Sequence, residues 1–177
     1  MRLFLSISAI KNFSNLSSID IRAVFLQSEN LEREVYFQLP KNIQPDRSYV
    51  YRLVKPLYGL TDAGRQFWLK VKKIMKEAGY KTVVGDECYY QKYDEEGKLI
   101  GMVLTHVDDF IYNGTEQFAK DLEELLKSEL KVSKVEKGRF RFCGLDIEQK
   151  ERKIVVSMED YAAAIKESEI PKKSRNN

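Results

Sequence analysis

Histidine, cysteine and proline are scarce here: one, two and four residues in a chain of 177. One histidine and two distant cysteines, Cys88 and Cys143, cannot furnish a zinc site of ordinary spacing. They also exclude a disulfide framework and point to a reducing, intracellular setting, cytoplasmic or nuclear. No apolar run nears the roughly 20 residues that a membrane-spanning helix requires. The opening MRLFLSISAIKNFS has the basic residue and short apolar core of a signal peptide. Ser6, Ser8 and Lys11 interrupt it and no small-residue cleavage site follows, so it reads as an amphipathic helix. An excess of one charge is lacking too. The 30 Lys and Arg face 27 Asp and Glu, and a net charge of +3 does not by itself argue for nucleic acid. Thirty cations can still gather on one face.

What is present suits one globular domain. Hydrophobic residues make up 43% and charged residues 32%, a balance that excludes disorder, and the length allows one substantial core. There is no internal repeat. The domain is expected to run over 1–171, with the polar KKSRNN of 172–177 as a frayed tail.

Periodicity then predicts the elements. After the first helix, SSIDIRAV (17–24) reads as a strand, and EVYFQLP and SYVYRLV as two more around a loop with Pro45. Thr61 or Asp62 caps a helix whose apolar face is Phe67, Trp68, Val71, Ile74, Met75 and Ala78, and Gly79 stops it. CYYQKYD and KLIGMVLTHV pair around DEEG, and DFIYN follows after a reversal at Asp108 and Asp109. Thr115 caps a helix with the stripe Phe118, Leu122, Leu125 and Leu126. KVSKV, RFRFCGLDIEQ and KIVVSM read as strands and EDYAAAIKES as a closing helix. The implied class is α+β, an antiparallel sheet with helices packed on one face.

Two features resist a purely structural reading. Asp108 and Asp109 stand side by side in the apolar run MVLTHVDDFIYNG, where adjacent carboxylates repel. Asp20 lies between two isoleucines in a strand, where aspartate is a poor former, and alternation puts it on the face opposite those isoleucines. Either these acids are solvated at a turn and a sheet face, or the first strand lies beside the hairpin and the three converge. Converging carboxylates need divalent cations. Hard oxygen ligands suit Mg²⁺, and two ions roughly 3.5–4 Å apart can clamp the attacking and leaving oxygens of a phosphoryl transfer.

Four segments now matter in series: SSIDIRAVFLQSENLEREVYFQLP, YRLVKPLYGLTDAGRQFW, MVLTHVDDFIYNG and FRFCGLDIEQKERKIVVSMEDY. In order and spacing the chain, over nearly its whole length, resembles a copia-type LTR-retrotransposon reverse transcriptase. The resemblance implies a polymerase palm with part of the fingers, acting as an RNA-directed DNA polymerase. It makes Asp20, Asp108 and Asp109 the catalytic acids, which hold two Mg²⁺ (or Mn²⁺) ions with help from the Ile21 carbonyl. Arg22, Ala23, Val24 and Phe25 would line the nucleotide, Phe25 being either a ring that excludes a 2′-hydroxyl or plain core. Tyr58 and Gly59 match the motif that packs on the nascent base pair, and Cys143 and Gly144 match the turn that supports the primer end. Lys131, Lys134 and Lys137 sit where a lysine protonates departing pyrophosphate, or form a solvated charged face. Tyr36, Tyr58 and Tyr90 are candidates to stack on bases. The partners implied are an RNA or DNA template-primer, a deoxynucleoside triphosphate, and the polyprotein neighbours integrase and RNase H, with no membrane.

The chain also departs from that pattern. His106 replaces the usual Tyr before VDD, and alternation would turn it away from the turn to pack on the sheet. Val24 replaces a small Ala and would crowd the nucleotide. Thr61 to Gly64 replace a Lys-Gln-Ala-Pro run, so that Asp62 adds a charge of unfavourable sign. On the resemblance the first fingers strands, the thumb and RNase H are expected to fall outside these 177 residues, so the chain is expected to be weak or inactive alone. The competing expectation is a non-enzymatic retroelement-derived module that binds nucleic acid or protein. A two-metal nuclease explains the acids but neither YGL nor Phe25.

Overall fold

Period-two apolar runs pair into two sheets in the computed structural model, which describes residues 1–46, 48–151 and 153–166. β5 (Asp86–Tyr93) and β6 (Leu99–His106) form a hairpin, and β6 pairs in turn with β7 (Asp109–Gly114). β1 (Ser17–Ile21) lies between β7 and the edge strand β8 (Val132–Lys137), and β4 (Lys81–Val83) closes the other edge. The order is β4-β5-β6-β7-β1-β8, antiparallel throughout. β9 (Arg139–Phe142), β10 (Leu145–Lys150) and β11 (Lys153–Ser157) form a second sheet, and β2 (Tyr36–Phe37) and β3 (Tyr51–Arg52) a short ribbon.

The helices follow the stripes read from sequence, except that Trp68 is half-buried and lies outside the core. α2 (Ala63–Glu77) buries Phe67, Val71, Ile74 and Met75 and ends before Gly79, whose φ of +76 suits only glycine well. α3 (Glu116–Glu129) is capped by Thr115, whose hydroxyl accepts from the Phe118 N–H at 3.2 Å. The large sheet has two cores because its strands alternate. Ile19, Ile21, Phe110 and Tyr112 meet α2 and α3, whereas Tyr89, Met102, Leu104 and Ile111 meet Phe4 of α1 (Arg2–Ile10) and Phe140, Phe142 and Ile147 of the second sheet. Helices on one face is therefore too simple a description. α1 and β9–β11 cover the other face, because the strands alternate between two apolar sides instead of leaving one to solvent.

Other boundaries moved for local reasons. The first strand stops at Ile21, not Val24, since Ala23 turns left-handed at φ +50 and starts a 3-10 turn over Val24–Gln27. RFRFCGLDIEQ is two strands, broken where Cys143 and Gly144 take φ +49 and +77 in a two-residue hairpin turn. The closing helix forms over Glu159–Ala164; the remainder expected at 167–168, and the tail, lie outside the described residues. Gly101 and Gly114 are cross-strand partners beneath the Phe118 ring, and a Cβ on Gly101 would stand 2.3 Å from it.

Candidate active site

β1 ends, and β7 begins, at one rim of the large sheet. Asp20 is the direct cross-strand partner of Asp109, and the Ile21 N–H donates to the Asp108 carbonyl at 3.0 Å. The β6–β7 turn is Val107–Asp108, which makes His106 and Asp109 its closing pair. Directly opposed residues share a face, so His106, Asp109 and Asp20 stand in one row across three strands. This corrects two expectations. The reversal is one residue earlier than Asp108–Asp109, and His106 is exposed on the acids' face instead of packed away from them. Val107 takes φ +54, a conformation that β-branched residues rarely adopt and that concentrates at functional turns.

On its other side β1 meets a bulge. Asp20 opposes Lys134 and Ile21 opposes Val132, leaving Ser133 as the extra residue. The Ser133 hydroxyl donates to the Asp20 carboxylate. Nothing in KVSKV marks this serine; only the pairing of β1 with β8 exposes it. Lys134 does not neutralise Asp20, because its ammonium lies 2.7 Å from Glu136 instead. Among the described residues none of Asp20, Asp108 and Asp109 is in an ion pair.

The electrostatic result is visible at Asp109. Burial, then the charges of Asp108 and Asp20, hold its pKa above the usual carboxylate range, with His106 pulling the other way. A carboxyl raised in the folded state binds its proton more tightly there than in the unfolded chain. Its contribution to stability is lost as pH rises through the folded value. With chelator present, the unfolding midpoint should therefore gain from Asp109 as pH falls through the range just above about 3.9. Asp109→Asn should flatten that part of the profile; parallel profiles for the two proteins would contradict the assignment.

Carboxylates that repel one another and lack protein cations offer the hard oxygen donors that divalent ions take. Among the described residues no three His, Cys, Asp or Glu side chains close around a common point. They would supply part of an oxygen shell, which fits an ion such as Mg²⁺ that keeps waters and takes substrate phosphates.

Beyond Ile21, Arg22 is exposed with its N–H on the Lys131 carbonyl at 2.9 Å, and Ala23 is exposed. Val24 is wholly buried in the helix-side core, leaving only its backbone for a ligand. Phe25 is 9% exposed and meets Tyr58 edge-on, centroids 4.5 Å apart. Tyr58 itself is 71% exposed and precedes Gly59, at φ +95. The Cys143–Gly144 turn lies within electrostatic reach of the acids, since burial and then the Asp109 charge push the Cys143 thiol up. Arg22, Lys127, Lys131 and Lys134 line a groove of about 610 Å³, whereas Lys137 is drawn to Glu123 at 2.9 Å.

Two expectations fail on burial and pairing. Tyr90 is 1% exposed and cannot stack on a base. Asp62 takes a two-pronged contact from Arg33, at 2.7 and 3.1 Å, and does not cap α2 with its side chain. The guanidinium fork matches a carboxylate better than one backbone N–H does, and the feared charge is paired.

A profile of the family described as reverse transcriptase (RNA-dependent DNA polymerase) matches residues 1–173. The chain belongs to that family. Among curated proteins it is similar to the retrovirus-related Pol polyprotein from transposon TNT 1-94 of Nicotiana tabacum, 30% identical over 174 residues. That match covers 94% of this chain and 13% of the tobacco protein. It is also similar to the Pol polyproteins from transposons RE1 and RE2 of Arabidopsis thaliana, 31% and 29% identical over 103 residues. Each of those matches covers 57% of this chain and 7% of the relative. The copia-type retrotransposon likeness carried by the four motifs holds. This reverse transcriptase domain is α+β with antiparallel sheets. Among its described residues no helix is long and apolar enough to cross a membrane.

Proposed function

We propose that this domain is the palm, with part of the fingers, of a polymerase that extends a primer on an RNA or DNA template from deoxynucleoside triphosphates. The observation that carries the reading is the pairing of Asp20 with Asp109, and of the Ile21 N–H with the Asp108 carbonyl, at one strand rim, with none of the three acids in an ion pair among the described residues. Asp20 and Asp108 would hold two divalent ions, Mg²⁺ or Mn²⁺, with the Ile21 carbonyl as a further ligand and Asp109 in support. When bound, such ions lower the pKa of the primer 3′-hydroxyl and stabilise departing pyrophosphate.

The other roles belong to the chain. Ser133 fixes the Asp20 carboxylate, and the β6–β7 turn fixes Asp108. The backbone from Arg22 to Val24 lines the triphosphate. Phe25, backed by Tyr58, sets a ring against the sugar and excludes a 2′-hydroxyl, and Tyr58 with Gly59 packs on the base pair. The Cys143–Gly144 turn seats the primer end. Lys131, whose ammonium has no ion pair among the described residues, receives pyrophosphate in the groove beside Asp20. Integrase and RNase H are the proposed polyprotein neighbours. Two substitutions that favoured a non-enzymatic module bear less on the pocket than their positions suggested, since Val24 is core and Asp62 is paired with Arg33. The test is primer extension on an RNA template with Mg²⁺ or Mn²⁺. Incorporation by this chain above an Asp108→Asn control supports the reading, and incorporation equal to that control overturns it for the isolated domain.

A further inference from the structure

The near-neutral charge of the chain hides a segregation. α2 carries Arg65, Lys70, Lys72, Lys73 and Lys76 against the single carboxylate of Glu77. Its buried positions lie on one side, so Arg65, Leu69, Lys72, Lys73 and Lys76, at helical spacing, form the solvent stripe. Among the described residues Arg65, Lys73 and Lys76 have no ion pair. Lys72 lies 4.7 Å above the Trp68 ring and 2.9 Å from Glu87. That exposed pair is worth at most about 1 kcal/mol and yields readily to a stronger anion. α3, packed on the same face of the sheet, is the opposite in sign: Glu116, Asp121, Glu123, Glu124 and Glu129 outnumber Lys120 and Lys127.

This stripe is not part of the candidate active site. α2 covers the face bearing Ile19, Ile21 and Phe110, whereas Asp20 and Asp109 alternate to the other. We infer that the solvent face of α2 is a second nucleic-acid surface, binding a strand by its phosphates outside the catalytic rim. Four of the five stripe residues are cations and Leu69 is the single apolar one, which suits a polyanion better than an apolar partner. From Arg65 to Lys76 it extends about 16 Å, a length over which a strand rising about 3.4 Å per nucleotide presents four to five phosphates. The acidic α3 repels the same strand and confines it to α2. A second copy of this chain, setting α2 on its α3, is the competing occupant. An interface of exposed ion pairs without an apolar centre holds poorly, and the nucleic acid is favoured.

The test is titration of the full chain into a labelled single-stranded RNA across a salt series. The variants are Arg65→Gln, Lys72→Gln, Lys73→Gln and Lys76→Gln combined, beside a control with Lys11→Gln, Lys98→Gln, Lys150→Gln and Lys153→Gln, which removes equal charge elsewhere. The α2 variant should bind at least tenfold more weakly at low salt. Its slope of log affinity against log salt should be shallower by about 2 to 3, while the control shifts little. Equal losses in both variants, or none in either, overturn the proposal. So does sedimentation in which the intact chain dimerises and the α2 variant does not, with RNA affinity unchanged. Asp108→Asn should leave RNA binding by α2 intact, so a failed polymerase reading and a failed surface give different results.

Discussion

Asp20→Asn is expected to lower Mg²⁺-dependent primer extension by about a thousandfold or more, at the upper end of what removal of one electrostatic contact to a developing charge produces. The substitution keeps the size and an acceptor for the Ser133 hydroxyl, so the β1–β8 bulge should survive and the loss should be chemical. The same variant supplies a readout that needs no substrate. Divalent cation binding to the folded state alone raises the unfolding midpoint by mass action. The intact chain should show that rise with Mg²⁺ or Mn²⁺, and Asp20→Asn should lose most of it. Activity within tenfold of the unaltered domain, from an equally folded variant, would remove the carboxylates from the metal seat.

The second large effect concerns packing. Gly114→Ala should destabilise the fold by about 3 kcal/mol, the upper part of the usual range for overpacking. A Cβ there would stand 2.4 Å from the Phe118 ring, 2.6 Å from the Ile100 carbonyl oxygen and 2.7 Å from the Gly101 Cα. Two of those three atoms are backbone of the paired strand, so no rotamer relieves the clash. The urea midpoint should fall by on the order of 1 to 2 M. At Gly101 all three nearest atoms belong to the Phe118 ring, at 2.3 to 2.4 Å. Gly101→Ala should therefore be partly rescued by Phe118→Leu, whereas Gly114→Ala should not. Equal rescue at both positions would mean that the strand backbones separate more easily than their pairing implies.

Much of this was legible from residue order. Alternation gave β5, β6 and β7, Thr115 and Gly79 punctuated the helices, and the isoleucines around Asp20 forecast its face. What escaped depends on pairing, which period alone does not encode. The sequence shows the acids but not that the turn falls on Val107 and Asp108, because nothing about valine announces a left-handed backbone. His106 was misplaced for the same reason: one residue of turn position decides which side chains share the acids' face. Ser133 was invisible because a bulge exists only relative to a partner strand. Asp62 was misjudged because Arg33, distant in sequence, supplies a better partner than the helix end. By period alone Cys143 and Gly144 read as strand; only the family resemblance pointed to a turn there, and their paired positive φ values form it.

β7 joins two features that look unrelated. At one end Asp109 opposes Asp20; five residues on, Gly114 lies under Phe118 against Gly101. Side chains alternate along a strand, so a slip of one residue anywhere in β7 would send Asp109 to the opposite side of the sheet. The glycine pair admits the Phe118 ring in a single alignment and so acts as a ratchet tooth for the whole strand. The placement of the carboxylates at the rim is thus inherited from a steric fit about 17 Å away, and damage there would misplace them before it unfolded the strand.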